Sequence, residues 1–68
     1  MDIKISTEFI KLQQVLKLAN ILDSGSDIKY FLGEELVKVN GEIATQRGKK
    51  LYAGDVVDVE GYEQIVVC

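Results

Sequence analysis

From Asp2 to Ile5 polar and apolar residues alternate, with Ile3 and Ile5 on one side and Lys4 on the other. That is the period of a half-buried strand. The period then changes: Leu12, Val15, Leu16 and Ala19, with Leu22 one turn further, recur at helical spacing. Ser6 or Thr7 is placed to cap this helix, Glu8 to complement its positive end, and Phe9 and Ile10 to pack its start against a sheet. Lys11, Gln14 and Lys17 lie off the apolar stripe. Asn20 to Gly25 carries turn chemistry, and a second helix is predicted over about Gly25 to Gly33. Ser24 is its expected N-cap, Asp27 stands where a capping-box acid would, and Ile28, Phe31 and Leu32 form its apolar stripe. Tyr30 is the aromatic that falls off that stripe.

Beyond the second helix the period returns to two. Val37 and Val39 point one way and Lys38 the other, and Asn40-Gly41 follows as a type I′ hairpin turn, which needs positive φ at both central residues. Glu42 to Thr45 is the returning strand, and Gln46-Arg47-Gly48-Lys49-Lys50 is a basic loop. Leu51 and Tyr52 lead into the turn Ala53-Gly54-Asp55, Val56 to Glu60 is a strand, Gly61-Tyr62 a turn, and Gln64 to Val67 a last strand. The two helices and the small, mostly antiparallel sheet each present one apolar face, so they pack as two layers. The fold class is α+β. No repeat, linker or low-complexity segment interrupts it, and residues 1–68 are expected to form one domain.

Composition narrows the possibilities. A chain of 68 residues buries only about 60% of its unfolded surface, but 47% apolar content argues against disorder. No run of about 20 apolar residues is present, and the N-terminus lacks a signal-peptide core, so no membrane role is expected. The single cysteine, Cys68, excludes an internal disulfide and builds no metal site alone. A cytoplasmic monomer is the simple expectation. Catalysis finds no support: there is no histidine, no paired acids marking a general acid and base, and no partner for Cys68. No cofactor or metal is expected. The net charge of −3 does not itself favour a nucleic-acid partner, for which a basic footprint is usual. What decides is whether the cations gather on one face.

The order helix, turn, Val37-Lys38-Val39-Asn40-Gly41, then Gly54-Asp55-Val56-Val57, resembles the S4-type RNA-binding domain, or αL motif, over about Phe9 to Val59. Ser24 holds the family's serine position and Lys29 one of its basic positions. Small stand-alone members of the YaaA and YbcJ type are the most similar, sharing an N-terminal strand and the Asp23-Ser24-Gly25 approach to the second helix. The resemblance implies an S4-like fold whose two helices, with the turn after them, face RNA. Lys11 stands where the family has the arginine of Arg-Leu-Asp. It implies structured RNA as the partner, ribosomal RNA above all, at the ribosome or in its assembly. The chain departs from the pattern in three places. Gly25 replaces the arginine of Ser-Arg, Gln13 the aspartate of Arg-Leu-Asp, and Glu34-Glu35 the glycine of the turn after the second helix. These changes argue against tight, sequence-independent binding and suit a structured RNA met in a shape-defined setting, with a ribosomal or other protein as a possible neighbour.

The candidate RNA contacts are therefore Lys11 and Lys17 on the first helix, Lys29 on the second, and Arg47, Lys49 and Lys50 in the loop, where cations meet phosphates as point charges. Ser24, Lys38 and Asn40 join them as motif residues, although hairpin geometry alone accounts for Asn40. Tyr30, beside Lys29, either stacks on an unpaired base or covers the rim of the core, and the rim is favoured. Tyr52 and Tyr62 flank turns and read as structural. Against all of this stands the plain reading of scattered lysines that keep a small domain soluble. The rival function is protein interaction without RNA, on an S4-like or β-grasp-like fold. The Val39-Asn40-Gly41-Glu42 turn and Gly54-Asp55 also suit small sulfur carriers, but Val66-Val67-Cys68 lacks their terminal Gly-Gly. A β-grasp sheet would further require a hairpin before the first helix, where a single strand is expected.

Overall fold

The computed structural model describes residues 1–68. Seven strands and two helices follow in the order β1 (Asp2–Ile3), β2 (Ile10–Lys11), α1 (Leu12–Leu18), α2 (Gly25–Gly33), β3 (Val37–Val39), β4 (Glu42–Ile43), β5 (Lys50–Leu51), β6 (Val56–Val59) and β7 (Ile65–Val67). Five strands form one sheet in the order β1-β7-β6-β3-β4. All its neighbours are antiparallel except β1, which runs parallel to β7. β2 and β5 form a separate antiparallel ribbon, with Ile10 opposite Leu51 and Lys11 opposite Lys50.

Alternation along the strands sets one buried and one open face. Val37, Val39, Val57, Val59, Ile65 and Val67 turn inward, while Lys38 and Asp58 turn outward. The inward residues join Leu12, Val15, Leu16, Ala19, Leu22, Ile28 and Leu32 from the helical half in one core of 16 residues that contains no polar side chain. The expected helical stripes are thus the buried ones, with Phe31 half-buried at the margin.

Both helices end in a Schellman motif. Ile21 N–H bonds Leu16 C=O and Asn20 N–H bonds Lys17 C=O; after α2, Leu36 N–H bonds Phe31 C=O and Glu35 N–H bonds Leu32 C=O. This geometry puts Asn20 at φ +58° and Glu35 at φ +59°, in the left-handed region. At the start of α2 the Ser24 hydroxyl accepts the Asp27 N–H at 3.1 Å, as its sequence position predicts.

The start of the first helix differs from expectation. Ser6, Thr7 and Glu8 lie in a bend outside it, and the Thr7 hydroxyl donates to Phe9 C=O at 2.7 Å. Ile10–Lys11 is strand, Lys11 is the N-cap, and Gln14 Oε1 reaches back to the Lys11 N–H at 3.0 Å. The cause is long-range: pairing Ile10 with Leu51 buries both side chains, which a local cap at Thr7 does not offer. Lys50 and Leu51, expected in the basic loop and a turn approach, belong to this ribbon as β5. Two strands rather than one precede α1, but they lie in different sheets and make no hairpin.

The type I′ turn is present, with φ +52° at Asn40 and +85° at Gly41. Asn40 also reaches across the sheet: its amide donates to Asp55 Oδ1 at 3.1 Å and its Oδ1 accepts the Val56 N–H at 2.9 Å. The other oxygen of Asp55 accepts the Tyr52 N–H at 2.7 Å. The Val-Asn-Gly turn and the Gly-Asp step are therefore two halves of one hydrogen-bonded corner.

Candidate nucleic-acid interface

The basic loop is fixed at both ends and along its backbone. Ala44 is buried at its start, its N–H bonded to Val37 C=O, and Lys50 enters β5 at its end. Between them the loop turns at Arg47-Gly48, with Lys49 N–H bonded to Gln46 C=O. The carbonyls of Lys49 and Arg47 accept the N–H groups of Leu12 and Gln13 at 2.9 and 3.0 Å. These N–H groups are among the four that a helix start leaves unsatisfied, so the loop serves as the backbone cap of α1. Its side chains are held beside that helix start, next to Lys11.

The loop also packs beside α2. A groove of about 570 Å³ is lined by Lys29, Leu32 and Gly33 from α2 and by Thr45, Gln46, Arg47 and Gly48. On the other side of Thr45-Gln46 a second groove, about 350 Å³, takes in Asn40, Glu42 and Lys49. Lys29 and Arg47 line the first groove and Lys49 the second, while Lys11 and Lys50 stand in the ribbon and line neither; all five are exposed. The ion pair in the structure joins the N-terminal ammonium to Glu63 at 3.1 Å; none of these five cations has a carboxylate within ion-pair distance. Lys11 and Lys50 stand directly opposite each other in the ribbon, an arrangement that costs a few tenths of a kcal/mol or more between like charges.

The other candidates sit elsewhere. Lys17 occupies the last turn of α1, where a cation complements the negative helix end, and it lines neither groove. Ser24 caps α2. Tyr30 is 61% exposed, with its ring edge against Phe31 at a centroid distance of 6.0 Å. Lys38 lies on the open sheet face opposite Asp58, in a groove it shares with Glu35, Glu60 and Tyr62. The side-chain amide of Asn40 is committed to the corner with Asp55.

Sequence reasoning passed over Thr45 and Gln46, neutral residues that carry no charge signal yet line both grooves. It also passed over Phe9, whose ring carries the Lys50 ammonium at 4.7 Å and meets Tyr52 at 6.2 Å. The alternations Phe9-Ile10-Lys11 and Lys50-Leu51-Tyr52 were the available signal, since each is a short strand pattern about a buried apolar centre.

The model of the S4 domain family matches residues 3–68. A Bacillus subtilis (strain 168) protein named "Probable ribosome maturation protein RlbA" is 53% identical over 60 residues, covering 88% of this chain and 84% of that relative. The helix pair, the Val-Asn-Gly corner and the Gly-Asp step observed here are those of a member of the S4 domain family, to which this chain belongs.

Proposed function

We propose that this protein is a non-enzymatic RNA-binding module that meets structured RNA, ribosomal RNA in the course of ribosome assembly, through the face formed by α1, α2 and the Arg47–Lys50 loop. The observation that carries the reading is the loop's attachment to the start of α1 beside α2, which sets Arg47 in one groove with Lys29, with Lys49 in the adjoining groove. Membership of the S4 family and the ribosome-maturation name of the Bacillus relative support it. Folded RNA is met through shape and backbone, and a groove edged by unpaired cations suits that mode. Lys29 and Arg47 would hold phosphates across the groove, and Lys11, Lys49 and Lys50 would extend the contact along the loop. No helix is long and apolar enough to cross a membrane. A cytoplasmic place of work rests on the ribosome-maturation name of the Bacillus relative.

The test is an amide-shift titration of labelled protein with fragments of ribosomal RNA at low and moderate salt. Shifts are expected at Lys11, Lys29 and Arg47 to Lys50, fading as salt rises. Lys29→Glu with Arg47→Glu should weaken binding at least tenfold and flatten its salt dependence by about one unit of slope for each phosphate no longer neutralised. A silent titration at low salt, or an unaffected double variant, overturns the reading. Protein interaction without RNA has one observation in its favour, the groove of about 470 Å³ lined by Glu35, Asp58 and Glu60 on the side of the open sheet. In that case a silent RNA titration would be joined by binding of a basic protein segment.

A further inference from the structure

The β2–β5 ribbon has an outward face that its inward face does not explain. Ile10 and Leu51 are buried, so their neighbours Phe9, Lys11, Lys50 and Tyr52 project the other way. We propose that this face is a stacking site for one unpaired RNA base, with Tyr52 as the platform and Lys11 and Lys50 as contacts to the flanking phosphates. The proposal rests on the RNA-binding reading above and adds to it a second contact, for a nucleotide outside the helical stack.

Four observations carry it. Lys50 Nζ lies 4.7 Å from the Phe9 ring centroid, so its ammonium is already held beside the aromatic pair. Phe9 and Tyr52 meet at 6.2 Å with their planes tilted by 54°, which braces the tyrosine from one side. Tyr52 is nonetheless 46% exposed, and every base offers a π-face to such a ring. Its backbone is pinned, N–H to Asp55 Oδ2 at 2.7 Å and C=O accepting from Asp55 N–H at 3.0 Å, so the turn that carries the ring needs no reordering on binding. Lys11 and Lys50 oppose each other without a carboxylate partner, and a phosphate would relieve both. The other two exposed tyrosines also meet a phenylalanine, both of them Phe31, but neither stands beside an opposed pair of lysines, and Tyr62 lines a groove with Glu35, Asp58 and Glu60.

The test uses a short RNA hairpin carrying a single bulged adenosine, and the same hairpin with the bulge deleted. Wild type, Tyr52→Ser, Tyr52→Trp and the double variant Lys29→Glu/Arg47→Glu are compared, with the ring resonances of Tyr52 followed in wild type. Wild type should prefer the bulged hairpin by about fivefold or more, the lower end of what one stacked base contributes. That preference should vanish in Tyr52→Ser, return in Tyr52→Trp, and be accompanied by upfield ring shifts of Tyr52 with the bulged hairpin alone. Equal binding of both hairpins by wild type, with the double variant still impaired, overturns the stacking site and leaves the RNA reading standing. Failure of wild type to bind either hairpin at low salt overturns both, and a preference for the bulged hairpin that survives in Tyr52→Ser overturns the stacking site alone.

Discussion

Glu35 closes α2 with φ +59°, a conformation that costs an L-residue with a Cβ roughly 1–2 kcal/mol relative to the right-handed region. The Schellman geometry demands that conformation at this place in the motif whatever residue occupies it. Glu35→Gly should therefore raise stability by about 0.5–1 kcal/mol, after the greater unfolded-state freedom of glycine is subtracted. Urea melts of the two proteins at equal slope check this, and a lower midpoint for the variant would mean that the Glu35 side chain contributes something its exposure does not suggest. The sequence shows a departure at this place, because the family pattern has glycine there, but it shows it as charge. Asn20 and Asn40, the other two non-glycine residues at positive φ, were legible as turn residues because asparagine tolerates that region. Glutamate carries no such signal. The corner built by Asn40 and Asp55 was legible as two motifs and illegible as one object, since a bond between side chains fifteen positions apart has no local signature.

Elements read well where their cause was local and poorly where it was not. The second helix has its cap, stripe and terminus within its own residues, and its observed bounds, Gly25–Gly33, coincide with the reading. The first helix has a valid local alternative at Thr7 and Glu8, and loses it to a pairing between Ile10 and Leu51 that no window of the sequence contains. The same distance hid the loop's attachment: that the loop caps α1 through the carbonyls of Arg47 and Lys49 depends on the ribbon bringing the two together. The N-cap of α1 is a lysine, its first turn contains no acid, and Lys50 stands opposite. Lys11→Glu places a carboxylate at the positive helix end and removes the like-charge pair, so it should stabilise the fold by about 0.3–1 kcal/mol while weakening RNA binding. Thermal melts and affinity measured on the same sample check both halves. Loss of stability and of binding together would mark Lys11 as a structural residue, whereas the opposed signs mark a position held for its ligand.

At the scale of the whole molecule, the net charge of −3 conceals how the charges are arranged. Lys29 and Arg47 line one groove, and Glu35, Asp58 and Glu60 line another together with Lys38. A sum over the chain is blind to where each charge sits, so the net charge alone does not decide for or against RNA. The sheet has its own global feature: β1 is an edge strand that shields β7 through Val66 N–H to Met1 C=O, Cys68 N–H to Ile3 C=O and Ile5 N–H to Cys68 C=O. Deleting Met1–Ile5 should cost about 3 kcal/mol, near 1 kcal/mol for each of these bonds. It should also produce concentration-dependent association through the bared edge of β7, visible by sedimentation. Full stability in the truncated protein would show that β1 is a passenger on the sheet.

That arrangement also fixes an order of events in the life of the chain. β7 is the last of these strands to be synthesised, yet it lies inside the sheet between β1 and β6. While the polypeptide is growing, Asp2–Ile3 has no neighbour to pair with, and the core lacks Ile65 and Val67. β1 can pair only once the residues of β7 are free to enter between it and β6, so the five-stranded sheet is completed by the last of its strands to be made.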